Sequence, residues 1–147
     1  MNTPSHFLMT ATLDQMWPRT PIHRPAFLLG SVAPDIPLWV LSGGGIVYYH
    51  FILGWDMATA SRWMFANLYF HNPFWLACHN LLHAPLLLLL GLALVWPQRC
   101  HIGSVSRWLF WFLLACLLHS LVDIFTHADD GPLLFFPLNW QFAFIAR

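Results

Sequence analysis

His119-Ser-Leu-Val-Asp123-Ile-Phe-Thr126-His127 closes a run of residues apolar enough to cross a bilayer. Its two histidines and its aspartate fall at i, i+4 and i+8, so a helix lines them up on one face over about two turns. Hydrocarbon is a costly solvent for a carboxylate, about 2.5–3.5 kcal/mol near the centre of a spanning helix on insertion scales. An apolar helix that carries Asp123 between two histidines therefore implies a partner for the charge, and the simplest partner is a cation. A metal site in a membrane helix is the reading this stretch favours. A purely structural His–Asp network is the alternative.

Composition points to the same solvent. Of 147 residues, 59% are hydrophobic and only 8% charged, against about 25% charged in an ordinary soluble domain. Lys and Glu are absent, and so few charges cannot cover a water-facing surface, which leaves membrane lipid as the expected partner. Formal net charge is zero and no basic run exists, which argues against nucleic-acid binding. The nine histidines outnumber either the acids or the arginines. Cys78, Cys100 and Cys116 have no C-x-x-C spacing, so neither a disulfide framework nor a thiolate zinc site is expected. Cys116 precedes His119 by three residues and reads as a small buried residue rather than a ligand.

The length suits one domain, residues 1–147, built as an all-α, multi-pass membrane bundle of about four helices. Ser5 is a plausible N-cap for a helix from His6 to about Met16. Nothing before it has the basic n-region or cleavage site of a secretory signal. Trp17–Pro25 breaks that helix with three prolines, and a second apolar helix runs from Ala26 to about Leu41, interrupted by Pro34-Asp35 and Pro37. Gly43-Gly-Gly45 is expected to end it. Residues 46–72 are aromatic-rich and read as short helices or a cap at the membrane surface. Pro73–Trp96 carries no formal charge and is long enough for the ~20 residues of a span. The loop 97–107 leads to a last helix from Trp108 to about His127, which Asp129-Asp130-Gly131-Pro132 terminates. The tail 133–147 is apolar but too short to span.

Such a loop makes 73–96 and 108–127 an antiparallel hairpin, with His79 and His83 at the same end as His119, Asp123 and His127. The same bookkeeping brings His6 and Asp35 to that level. On one helix, His79 and His83 would place their Cβ atoms about 5–6 Å apart, within reach of one cation. Asp35, at a proline-made break, is an oxygen ligand or a cap of the segment restarted by Pro37. His23, His50, His71 and His101 lie in loops or aromatic stretches and are not read as ligands. Thr126 shares the ligand face, and Asp129 and Asp130 are outer groups or turn residues. Arg19, Arg24, Arg99 and Arg107 fall in the connections opposite this level, which by the positive-inside rule puts the site on the outer face.

Ser5-His6, Gly30-Ser-x-x-Pro-Asp35, His79-x-x-x-His83 and His119-x-x-x-Asp123-x-x-Thr126-His127 together resemble small inner-membrane proteins described as metal-dependent hydrolases. That group is distantly similar to zinc-dependent phospholipase C and related single-strand nucleases. The resemblance spans about residues 3–140 and is most specific from His119 to Pro137. It implies an all-α bundle in the inner membrane with a His/Asp centre for a divalent metal, most simply zinc, and a phosphoester or phospholipid substrate. The expected metal ligands are His6, Asp35, His79, His83, His119, Asp123 and His127, with Asp35, Asp129 or Asp130 as the catalytic base. Two departures stand out. Asn80-Leu-Leu-His83-Ala replaces the arginine and threonine that often accompany the middle histidines, and the chain stops soon after Phe144, where relatives are expected to carry a further ligand or lid. The rival readings are a metal-stabilised scaffold without catalysis and a haem protein; carboxylates at the histidine level disfavour bis-histidine haem.

Overall fold

A computed structural model describes residues 3–16, 22–98, 105–127 and 131–141. Among them the regular structure is helical, with no strand. The chain divides into two compact units, Met1–Pro34 with Asn80–Arg147, and Asp35–His79.

The first unit is organised by its last helix. Its elements are α1 (Thr3–Met16), α2 (Arg24–Gly30), α7 (Pro85–Val95) and α8 (Val105–Thr126). Phe110, Ala115, Cys116, His119, Ser120, Asp123 and Ile124 are the buried residues of α8, a three-four repeat that puts core and ligand-type side chains on one face. Helix α2 lies close against that face because the residues at the crossing are small. A Cβ on Gly30 would overlap the Phe112 carbonyl oxygen and stand 2.9 Å from the Ala115 Cβ, so only glycine permits this approach. Asp14, nearly buried, binds Arg24 at 3.1 Å and ties α1 to the start of α2.

Helices α7 and α8 are antiparallel. His83, just before α7, meets Ser120; Gly91 in mid-helix faces Leu113; Trp96, at the end of α7, meets Phe110 with ring centroids 5.8 Å apart. The tail returns over the start of α7, where the Leu86 N–H donates to the Leu134 carbonyl at 3.3 Å and the Leu133 N–H to Asn80 Oδ1 at 2.8 Å. Part of the unmet donor set at a helix start is thus satisfied.

In the second unit, α3 (Ile36–Ile46) continues into a π-helical stretch, Val47–Ile52. Helix α4 (Met57–Trp63) runs through a π turn, Met64–Leu68, into α5 (Tyr69–His71), and α6 (Pro73–Asn80) begins in this unit. Asp56 caps α4 by accepting from the Thr59 N–H at 3.0 Å, and the hydrogen bonds from Thr59 hold its carboxyl below the usual carboxylate range.

Two sequence expectations about helix ends are corrected. Gly43–Gly45 does not end a helix: the backbone stays helical through Val47, and Gly45 is small because a Cβ there would overlap the Met64 Sδ. Pro73–Trp96 is not one continuous helix either. Helix α6 stops at Asn80, a turn follows, and Ala84 is extended (φ −70°, ψ 116°) ahead of Pro85. Proline disfavours helical geometry in the residue before it, and that sets the break. Among the described residues one helix, α8, is long and apolar enough to cross a membrane; the number rises to three if 24–52 and 73–95 are each an interrupted span.

Candidate metal centre

The polar end of α8 sits inside the first unit. Asp123 is 6% exposed, and His6, His83 and His119 are each 1% exposed or less. Helix α1 supplies His6 from a buried stripe of His6, Thr10 and Asp14 at i, i+4 and i+8. The turn before α7 supplies His83, and α8 supplies His119 and Asp123. His127 follows the last helical residue, where its N–H still donates to the Asp123 carbonyl at 2.9 Å.

The carboxylate of Asp123 divides the imidazoles between its two oxygens. Nε2 of His119 lies 3.1 Å and Nε2 of His83 3.7 Å from Oδ2. Nε2 of His6 lies 2.9 Å and Nε2 of His127 3.5 Å from Oδ1. The ligand atoms of His83, His119 and Asp123 lie within 4.8 Å of one another. His127 is the least buried of the four imidazoles, with about a third of its side chain exposed, and forms the open edge of the group.

The protonation pattern of His119 can be read from its partners. Nδ1 is 2.8 Å from the Ser31 carbonyl, an acceptor only, so Nδ1 carries the hydrogen and donates. Nε2 is left with its lone pair, the form a metal ligand needs, and a carbonyl behind the ring is the usual orienting partner. His83 Nε2 is 3.3 Å from His119 Nε2. Bonds of about 2.0–2.1 Å to a tetrahedral zinc would separate two nitrogens by about 3.3–3.4 Å. Borderline nitrogen donors with a carboxylate fit zinc. A backbone anchor also fixes His83, whose carbonyl accepts a hydrogen bond from Ser120 Oγ. His6 stacks on His119 with ring centroids 3.7 Å apart and planes at 19°. Its Nδ1 is buried and has no hydrogen-bond partner among the described residues.

The remaining expected residues are placed as follows. His79 is the penultimate residue of α6 and shares a 3.0 Å hydrogen bond with the Tyr69 hydroxyl. With the helix ending at Asn80, the His79 and His83 spacing no longer means a shared helical face. Asp35 closes the 3-10 turn that begins at Ala33. Its backbone turn is the N-cap position of α3, but its side chain makes no capping hydrogen bond, so the capping alternative is not the one adopted. Thr126 Oγ1 is exposed and donates to the Val122 carbonyl at 3.0 Å. Asp129, Asp130 and His101 lie outside the described residues.

Sequence reasoning missed three supports of this centre: the Ser31 carbonyl, the Ser120 hydroxyl and the Asn80 amide. A backbone carbonyl leaves no mark in sequence. Ser120 was legible only as a hydroxyl next to His119 on a buried face, and Asn80 as a polar residue in an apolar run.

A family model described as zinc-dependent phospholipase C matches residues 5–140 of the chain. No curated protein and no solved structure matches it.

Proposed function

We propose, from the premise that the chain belongs to the zinc-dependent phospholipase C family, that it is a membrane-bound, zinc-dependent hydrolase of phosphoesters, with lipid head groups as its substrate class. The observation that carries this reading is the approach of four imidazole nitrogens to the two oxygens of one buried carboxylate. A structural core has little use for that donor density, whereas a hydrolytic metal centre requires it.

His83, His119 and Asp123 are the ligands in this proposal. His6 and His127, at the other carboxylate oxygen, allow a second metal. A divalent metal bound there supplies Lewis acidity toward a phosphoryl oxygen and acidifies water. The chain's own residues do the rest. The Ser31 carbonyl and Ser120 hydroxyl hold His119 and His83 in place, burial excludes bulk water from three of the four imidazoles, and the half-open side at His127 is where substrate enters. The candidates for the base are the aspartates the sequence offers for it, Asp35, Asp129 and Asp130.

Membrane attachment is supported by the 22 residues of α8 and by the leucines that α7 turns outward, among them Leu94 at 80% exposed. A multi-pass topology follows if the interrupted helices are spans. A site at the end of a spanning helix lies at the depth of lipid phosphates, which favours a head group as substrate.

The test compares wild type, Asp123→Asn and Asp129→Asn in metal per protein and in turnover of a chromogenic phosphodiester and a short-chain phospholipid. Asp123→Asn keeps shape but removes the charge, so both metal and turnover should be lost. Asp129→Asn should keep its metal. Full metal occupancy in Asp123→Asn would falsify the ligand assignment, and a metal-loaded wild type that turns over no phosphoester would favour a scaffold.

A further inference from the structure

The second unit carries a cleft of its own, lined by Trp55, Thr59, Arg62, Trp63, Ala66 and Asn67. We propose that this cleft is a second site, one that binds the anionic phosphate head group of a phospholipid. It takes part in no step of the chemistry proposed above.

The cleft is a helical face with a fixed wall. Thr59, Arg62, Trp63, Ala66 and Asn67 follow at spacings of three, four, seven and eight, so one side of α4 and its π turn presents them together. The opposite side is anchored: Ala60 and Met64 are fully buried, and Met64 fills the space left by Gly45. Trp55 forms the wall, and both of its backbone groups are held. Its N–H donates to the Tyr49 carbonyl at 3.0 Å, and its carbonyl accepts from His50 Nδ1 at 2.7 Å. The chain reaches it through Gly54 at φ +71°, a conformation that favours glycine. The Trp55 indole packs on Tyr49 with centroids 5.0 Å apart and meets Trp63 edge-on at 6.3 Å. The wall is therefore in place before any ligand arrives.

Arg62 supplies the charge. It is the only formal cation in the Asp35–His79 unit, and among the described residues it has no carboxylate partner, whereas Arg24 is matched by Asp14. The nearby acid, Asp56, is engaged at the start of α4. An unmatched guanidinium beside a hydroxyl and a side-chain amide suits a phosphate: the planar fork takes two oxygens, and Thr59 and Asn67 can donate to others. Two indoles suit the boundary between head group and chains, where an apolar ring with one polar edge is at home. The volume, about 270 Å³, lies just under the roughly 300–1,000 Å³ of ligand pockets. It suits a head group whose chains stay outside. Exposed Leu53, Met57 and Phe65 on the same stretch of chain offer those chains an apolar surface.

The experiment uses the full chain in detergent micelles, as wild type and as Asp123→Asn, so that binding is read apart from hydrolysis. Affinity is measured for dihexanoyl phosphatidylglycerol, glycerol 3-phosphate, inorganic phosphate and uncharged dihexanoylglycerol. The phospholipid should bind best in both backgrounds. Arg62→Gln should weaken it about tenfold or more, as expected for lost hydrogen bonds to a charged group. Trp63→Ala should weaken it too, Trp63→Phe should keep most of it, and Arg107→Gln should change nothing. Circular dichroism and elution volume confirm that each variant is folded. Equal affinity in folded Arg62→Gln overturns the proposal, as does equal binding of uncharged dihexanoylglycerol. Glycerol 3-phosphate binding as tightly as the lipid assigns the cleft to a free phosphate ester and overturns the head-group assignment. Loss of binding in Asp123→Asn alone moves the lipid to the metal centre and overturns the second site.

Discussion

The stacked rings of His6 and His119, 3.7 Å apart, turn their Nε2 atoms toward opposite oxygens of Asp123. One ring comes from the first helix and the other from the last, so the stack joins the two ends of the first unit. The two imidazoles fix each other's planes, and the Ser31 carbonyl fixes which nitrogen of His119 faces inward.

Metal removal should destabilise the protein. A ligand that binds only the folded state at 100 times its Kd contributes about 2.7 kcal/mol, which for a chain of this size is a shift in Tm of roughly 5–10 °C. Chelation should lower the melting temperature by that order, and zinc should restore it. A chelated sample that melts as before would show that metal does not hold the fold.

Gly30→Ala tests the approach of α2 to α8. The new Cβ meets the Phe112 carbonyl and the Ala115 Cβ, so the helices must separate, at about 1–3 kcal/mol. Separation also draws the Ser31 carbonyl from His119, and losing such an orienting partner typically weakens metal binding about 10–100-fold. Thermal melts in excess zinc read the first effect, and competition with a zinc indicator reads the second.

Ser120→Ala removes the hydroxyl that holds the His83 carbonyl and leaves a buried acceptor behind. The expected loss is about 1–3 kcal/mol of stability, together with weaker zinc binding through His83. Thr126→Ala is the control. That hydroxyl is exposed and donates to the Val122 carbonyl in its own helix turn, so stability should stay within about 0.5 kcal/mol.

Membrane insertion is tested on the whole chain. If α8 spans, the protein should stay in the pellet through alkaline carbonate extraction. On a cysteine-free background, Ser106→Cys should react with an impermeant thiol reagent only after permeabilisation, because Arg99 and Arg107 bias that connection to the cytoplasm. Labelling from outside reverses the orientation, and release by carbonate counts against insertion.

Helix α8 was legible in the sequence because hydropathy and the spacing of His119, Asp123 and His127 agree on one helical face. His6 and Asp35 were placed near that level by counting segments up and down, and His6 does reach Asp123. The break at 81–84 was less legible. A charge-free run looks continuous on a hydropathy scale, whereas Pro85 acts through the backbone of Ala84. Gly43–Gly45 misled in the opposite sense, since glycine both ends helices and lets side chains such as Met64 press close. The contacts of Gly30 and of the Ser31 carbonyl were beyond reach, because they are made with α8, far along the chain.

The antiparallel pair of α7 and α8 has a problem of translation. Leu86–Leu90 is five identical side chains, and a leucine ridge slid by one turn along an apolar partner finds nearly the same packing. Such a slip moves everything attached to α7 by about 5.4 Å. It would carry His83 away from both Ser120 and Asp123, and no leucine could compensate. Beside the close fit of Gly91 on Leu113, the few polar atoms at one end therefore hold the alignment of a contact they scarcely take part in, and loss of the metal centre should leave two helices that still associate but agree less firmly on where to stop.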